Sequence, residues 1–283
     1  MKTMYSQLFT LLLNIIIPLS IIITFPTTAL SQEKQYVFGI IPQFEAKKIR
    51  SIWQPIINYL KIETGYNFKI KGSPTIPDFE SEIMQGEFDF VYLNPYQSIL
   101  ANETLGYLPL VKDIEQTLYG ILVVKKDSLI TNISQLDKQV IAFPAPNALA
   151  ASLLIRKELQ DNFKLKIFPR YVKTHDSVYL NVLLGEMAAG GGVQKTLSQQ
   201  RPDYQSALRV IYKTREVSPH PIMAHPRVPD EVVNTVKSAL LKLGETTEGK
   251  ALLSKIPMKK IGKASLMDYL PLKDIGLERF YNK

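Results

Sequence analysis

Apolar residues fall at helical spacing between positions 49 and 60, where Ile49, Ile52, Trp53, Ile56, Ile57 and Leu60 share one face. The spacing predicts an amphipathic helix, bent or opened by Pro55 and closed by Gly65. The runs on either side, Tyr36 to Ile41 and Tyr66 to Ile70, are short, apolar or alternating, and predict strands. The first ends in a turn at Pro42-Gln43-Phe44. Strand, helix and strand at this spacing form a parallel α/β unit.

The same punctuation continues along the chain. Residues 78–93 predict a short helix stopped by Gly86 and then a strand from Phe88 to Leu93. That strand runs straight into Asn94-Pro95-Tyr96, an N-cap followed by proline at the first helical position, so a helix is expected from Pro95 to Asn102. Its start lies at the carboxyl end of a strand, where open α/β sheets bind ligands and where free N–H groups suit an anion. Leu118 to Val124 and Gln139 to Phe143 predict strands, with a loop and short helix between them. Pro144-Ala-Pro-Asn147 then turns into a helix from Ala148 to about Leu159, with Asn147 as the expected cap.

Lys166 to Val172 reads as extended and leads to a helix capped by Thr174 or Asp176, closed at Gly185, and followed by a small-residue strand containing Gly190, Gly191 and Gly192. Gln205 to Tyr212 predicts a further strand, and the proline-rich stretch from Lys213 to Met223 a return crossover. The helix from Pro229 to Gly244 carries Val232, Val233, Val236, Leu240 and Leu243 as its stripe; a shorter one spans Glu248 to Ile256. Tyr269, Leu270, Leu272 and Phe280 are expected to pack the tail.

Two of these stretches echo each other. Met84-Gln-Gly-Glu-Phe-Asp matches Leu183-Leu-Gly-Glu-Met-Ala, with Gly86 over Gly185 and Glu87 over Glu186. Each copy is a helix closed by glycine and followed by a strand, which points to two lobes of similar build facing one another across a cleft. Helix starts at Asn94, Asn147 and Thr174/Asp176 then point into that cleft, each worth roughly 0.3–1 kcal/mol to a nearby anion.

The first thirty residues change the picture. Lys2 is their only charged residue, Leu8 to Phe25 is almost continuously apolar, and Pro26 to Ser31 is small or polar. This is the layout of an export signal at residues 1–31, cleaved after Ala29 or Ser31 or else retained as an anchor. No second apolar stretch approaches the ~20 residues needed to span a bilayer. The absence of cysteine excludes disulfides, thiolate metal sites and cysteine nucleophiles. The net charge of +8 falls to about +7 once Lys2 leaves with the signal, and it is scattered. Such a surplus fits attraction of anions or simple solubility, not nucleic acid. No His pair has zinc spacing, no G-x-S-x-G elbow is present, and the glycine triplet lacks nucleotide-loop spacing. Neither an enzyme nor a metal or cofactor is expected. His220 and His225, in the crossover, read as loop residues.

Pro42 after the first strand, Trp53-x-Pro55 with Tyr59-Leu60, the Gly86-Glu-Phe-Asp89 turn, Asn94-Pro95-Tyr96, His175-Asp176 with Gly185-Glu186, and Thr247-Glu-Gly-Lys-Ala-Leu-Leu253 occur in this order. Together they resemble the phosphate/phosphite/phosphonate-binding proteins of ABC transporters over about residues 36 to 280. The resemblance implies the type II periplasmic binding protein fold: two α/β lobes, each a mixed sheet flanked by helices, joined by two crossover strands. Residues 32–118 and 214–283 are expected to form the first lobe and 119–213 the second. It implies a monomeric, extracytoplasmic receptor that closes by hinge motion on a small oxyanion and delivers it to a permease. The same fold could instead inform a membrane sensor kinase or take a different organic anion. The expected ligand contacts are Gln43, Phe44, Tyr92, Asn94, Tyr96, Asn147, Ala148, Leu149, Ala150, Thr174, His175 and Asp176. The sequence departs from the family where a Ser-Thr-Ser-like run is replaced by Ala148-Leu149-Ala150, and an acid by Ala188.

Overall fold

Alternation along Gln35–Ile40 (β1) sends Tyr36, Phe38 and Ile40 into the core. The computed structural model, which describes residues 34–256 and 258–282, pairs β1 in parallel with Asn67–Lys71 (β2) and with Phe90–Tyr92 (β3). The export segment expected at residues 1–31 lies outside the described residues. Helix α1 (Ala46–Thr64) links β1 to β2 and buries all six residues of its predicted stripe. Pro55 lies inside it, and Gly65 closes it in the left-handed conformation.

Helix α2 (Ile76–Met84) links β2 to β3, its first turn capped by the Thr75 hydroxyl, which accepts the Asp78 N–H. Helix α3 (Pro95–Leu105) follows β3 directly, and the Asn94 side chain accepts the Gln97 N–H at 2.9 Å. A strand the hydrophobic pattern does not announce, β4 (Leu108–Asp113), then leads out of this sheet. Its last residue, Asp113, is buried and accepts N–H groups from Glu115, Gln116, Lys259 and Lys260, which anchors the exit.

The second sheet is built from β5 (Gly120–Lys125), β6 (Val140–Phe143), β7 (Phe168–Tyr171), β8 (Ala189–Val193) and β9 (Leu208–Lys213). A π-helical turn, Leu149–Leu154, runs into helix α4 (Ile155–Phe163) between β6 and β7. Helix α5 (His175–Leu183) joins β7 to β8, and the short helices α6 (Gln194–Ser198) and α7 (Pro202–Ala207) join β8 to β9. Residues 205–207, expected as the start of a strand, complete α7 instead; Pro202 and Asp203 favour its first turn and β9 begins only at Leu208.

The chain returns to the first sheet through β10 (Ile222–Ala224), which inserts between β3 and β4. Helices α8 (Asp230–Leu243) and α9 (Thr247–Leu253), strand β11 (Ile261–Lys263) and a series of 3₁₀ turns to Arg279 follow. The orders are β11-β4-β10-β3-β1-β2 and β7-β6-β8-β5-β9. Both sheets are mixed and flanked by helices. The two crossovers meet at Leu118 and Val217, which exchange backbone bonds of 2.9 and 2.8 Å.

The lobes match strand for strand. β2-β1-β3-β10-β4 of one has the same pairing senses as β7-β6-β8-β5-β9 of the other. Helices α2 and α5 are both nine residues long and both capped by threonine. They end at Gly86 and Gly185 with φ of 71° and 77°, a region closed to most other residues. The echo in the sequence is therefore a structural repeat. Among the described residues no helix is long and apolar enough to cross a membrane.

Candidate functional site

Three helix starts converge between the lobes. Asn94 at the head of α3, Ala148 to Ala151 at the head of the π-helical turn, and His175 at the head of α5 line one cavity. Gln43, from the turn after β1, and His220, from the return crossover, complete its polar lining. The cavity measures about 20 Å³, room for a single water molecule. A neighbouring cavity of about 20 Å³ lies against Phe44, Thr196 and His220. The lobes are drawn together.

Apolar packing holds them so. The core of the first lobe runs without a break into Ala145, Ala148 to Ala151, Leu153 and Leu154 of the second. The head of this helix is wound wide, the Ala148 carbonyl accepting both the Ser152 N–H at 2.8 Å and the Leu153 N–H at 3.1 Å. Such π-turns recur at functional sites. Leu149, Ala150 and Ala151 precede the first intrahelical bond, so helix geometry leaves their N–H groups without acceptors inside the helix. Close approach is achieved by glycine: a Cβ on Gly120 would overlap the Ala150 carbonyl, and one on Gly191 the Ala151 carbonyl.

The polar side chains at the cavity are neutral. His175 is 2% exposed, its Nδ1 3.2 Å from the Thr196 hydroxyl, and burial pushes it down to about 3. His220 is pushed down to about 3 by burial and by the neighbouring His175. Its Nε2 lies 3.4 Å from the Gln43 amide nitrogen, and its ring stacks on Tyr92 at 5.3 Å. Among the described residues no charged side chain lines this cavity. An anion here is met by helix dipoles, amides and imidazoles rather than by lysine or arginine.

The expected contact residues divide. Gln43, Asn94, Ala148, Leu149, Ala150 and His175 meet at the cavity, and Phe44 borders the neighbouring one. The Tyr92 ring lies between Trp53 and His220, and its buried hydroxyl has no hydrogen-bond partner among the described residues. Tyr96 packs against Tyr281 at 5.5 Å. The Thr174 hydroxyl caps α5 by accepting the Ser177 N–H, and Asp176 turns to Gln200 at 2.6 Å and Lys48 at 4.0 Å.

Asn147 corrects the sequence reading. It does not cap the helix, whose N-cap is Ala148 without a side-chain bond. Its side chain instead donates to Glu80 of α2 and to the Asn282 carbonyl, both at 2.8 Å, and accepts the Asn282 N–H at 2.8 Å. The C-terminal tail is thus gripped by the second lobe, and Arg156 adds a bond to the Phe280 carbonyl at 2.8 Å. Burial pushes the Glu80 carboxyl up to about 7, against the opposing bond from Asn147.

His220 was a loop residue by sequence and is a cavity residue in the structure. The signal available was its place between Pro219 and Pro221, which fix the crossover against the cleft. Thr196 carried no signal; α6 brings it under His175. Among the described residues no group of acidic or histidine side chains is arranged to hold a metal.

Comparison with known proteins agrees with this architecture. No curated protein sequence matches the chain. A binding protein component of an ABC phosphonate transporter from Pseudomonas aeruginosa superposes with a TM-score of 0.79, at 16% identity over 88% of each chain. PhnD1 from Prochlorococcus marinus, solved with methylphosphonate, gives 0.78 at 16% identity over 87% of this chain and 98% of its own. The periplasmic domain of BvgS from B. pertussis gives 0.52 at 17% identity, covering 85% of this chain and 45% of that one. Residues 38–269 match the family model described as ABC transporter, phosphonate, periplasmic substrate-binding protein. The chain belongs to that family.

Proposed function

We propose that the protein captures a small phosphonate-class oxyanion between its lobes and delivers it to the permease of an ABC transporter. The observation that carries this reading is the convergence of three helix starts with Gln43, His175 and His220 on one enclosed, uncharged cavity. The family description and the methylphosphonate found in the Prochlorococcus relative support the ligand class. A cavity of about 20 Å³ admits no such anion, so entry requires the lobes to part. The paired crossover residues Leu118 and Val217 are the natural pivot. Ligand contacts from both lobes then favour closure. Residues 32–118 and 214–283 move as one lobe and 119–213 as the other.

The test is a thermal-shift series with methylphosphonate, phosphate, phosphite, sulfate and acetate. A ligand at ~100 times its Kd adds about 2.7 kcal/mol of stability. A shift with methylphosphonate that is reduced in His175→Ala is the expected result. No shift with any of these anions would sink the reading.

A second reading, a ligand sensor coupled to a membrane kinase, is favoured by one observation, the fold shared with the BvgS periplasmic domain. Crosslinking in membranes separates the two: transport requires capture by a permease, sensing by a kinase.

A further inference from the structure

The Pro42–Phe44 turn and the chain entering α5 wall off the inner cavities, and a much larger hollow of about 370 Å³ lies against these same segments. It opens at the carboxyl ends of β1 and β2, between the first turn of α1 and the start of α5. Its apolar wall is formed by Ile40, Pro42, Phe44, Ile49 and Ile70. Arg50 from the first lobe and Lys173 from the second also line it.

These two cations differ from their neighbours. Lys48 lies 3.8 Å from the centre of the Phe44 ring and reaches Asp176. Among the described residues, by contrast, neither the Arg50 nor the Lys173 side chain forms an ion pair or hydrogen bond. Glu45 is the one carboxylate on the wall, so two positive charges face one negative. The hydroxyls there are already engaged: Ser73 with Glu82, and Thr174 with Ser177. Lys173 is also held at φ 77°, a left-handed conformation rare for a residue with a side chain. Strain of this kind persists where surrounding structure fixes it, often at ligand clamps.

We propose that this hollow is a second binding site, for a small organic anion with an apolar body. Its acid group is held between Arg50 and Lys173, and its body lies on Phe44, Ile49 and Ile70. The site is separate from the inner cavity, which Arg50 and Lys173 do not line. Because one cation comes from each lobe, an occupant ties the lobes together and shifts the protein toward the closed arrangement.

Isothermal titration of the purified protein with phenylphosphonate tests the site, with methylphosphonate titrated in parallel. Phenylphosphonate should bind the wild type, and the double variant Arg50→Ala/Lys173→Ala should weaken it about tenfold by removing two charge-assisted contacts. Arg50→Lys on its own should keep most of the affinity, and methylphosphonate binding should be the same in all three proteins. Equal phenylphosphonate affinity in the wild type and the double variant overturns the proposal, as does absence of phenylphosphonate binding. Phenylphosphonate binding that depends on Arg50 and Lys173 supports this site even where methylphosphonate fails to bind. In that case the inner-cavity reading falls and this one stands.

Discussion

In the first lobe the strand after the glycine turn is built from Phe90, Val91 and Tyr92; in the second the matching stretch is Ala189, Gly190 and Gly191. The register is fixed by two equivalent bonds, Asp89 N–H to the Val37 carbonyl and Ala188 N–H to the Val140 carbonyl. Tyr92 and Gly191 therefore occupy the same place in the repeat. Large aromatics fill the first lobe, where Phe38, Trp53, Phe90 and Tyr92 form a continuous set of ring contacts. In the second, Phe143 reaches across the bare backbone at Gly191, while Val178 and Val182 do so at Gly190. One scaffold is thus spaced by side chains in one lobe and by their absence in the other. The consequence falls at the cleft: removal of side chains from β8 lets the π-helical turn descend onto the sheet.

The strongest way to break this comparison is Gly191→Ala, whose methyl group would meet both the Ala151 carbonyl and the Phe143 ring. Overpacking against backbone should cost about 3 kcal/mol, read as a fall in the urea midpoint at unchanged slope. An unchanged midpoint would show that the helix is not seated on the glycines.

Asp89 provides the next test. It accepts the Val37 N–H at 2.7 Å and pairs with Arg227 at 2.7 Å, whereas the equivalent Ala188 has no such side chain. Asp89→Ala leaves the part-buried Val37 N–H without its acceptor and Arg227 without its carboxylate, and should cost about 2 kcal/mol. Ala188→Asp, at a half-buried position, should change stability by less than about 1 kcal/mol. Equal costs would show that the two turns are not mechanically distinct.

Glu80 and Tyr179 stand five residues after their threonine caps and sharpen the contrast further. The Tyr179 hydroxyl stays within its own lobe, 2.7 Å from Thr196, while Glu80 meets Asn147 of the other lobe. Burial raises Glu80 to about 7, so its contribution is complete below the ordinary carboxylate range and is lost as pH rises through 7. His175 and His220, depressed to about 3, act in the opposite sense: their contribution is complete above the ordinary imidazole range and is lost as pH falls toward 3. Glu80→Gln should therefore match the wild type at pH 5 and exceed its unfolding free energy at pH 8 by about 1–2 kcal/mol. A wild-type advantage at pH 8 would mean that the carboxylate is welcome at the seam.

The smallest effect is expected at Tyr92, whose buried hydroxyl has no partner among the described residues. Tyr92→Phe should leave the ligand-free protein within about 1 kcal/mol of the wild type, on either side. A larger loss in thermal unfolding would reveal a partner for that hydroxyl.

Much of the fold could be read locally. The stripe of α1, the Asn94-Pro95 start of α3 and the glycine stops at Gly86 and Gly185 each depend on residues a few positions apart, and each appears as predicted. What escaped was decided by distant partners. Asn147 has the side chain of a cap, but Glu80 and the backbone of Asn282 compete for it and win. The helix it precedes then starts on Ala148, and a run through Leu154 that is apolar but for Ser152, buried against the first lobe, leaves no local mark of its wide π-turn. His220 sits in a proline-bounded segment whose direction is set only when β10 pairs with β3. Two of the three helix starts at the cavity, those capped by Asn94 and Thr174, were legible because capping is local. The cavity's neutrality and small volume were not, because both follow from how closely the lobes meet.

The grip of Asn147 on Asn282 also bears on the order in which this polypeptide can be finished. The second sheet comes from one uninterrupted stretch, residues 120–213, and can assemble as soon as that stretch is available. The first needs β1 near one end and β11 near the other, pairings that close long loops and are slow for that reason. Asn282 comes well after residues 120–213 in the chain, so the lobe that grips it can be folded before it arrives. An insertion in the exposed loop carrying Leu129 lies far along the chain from that fastening and leaves it intact.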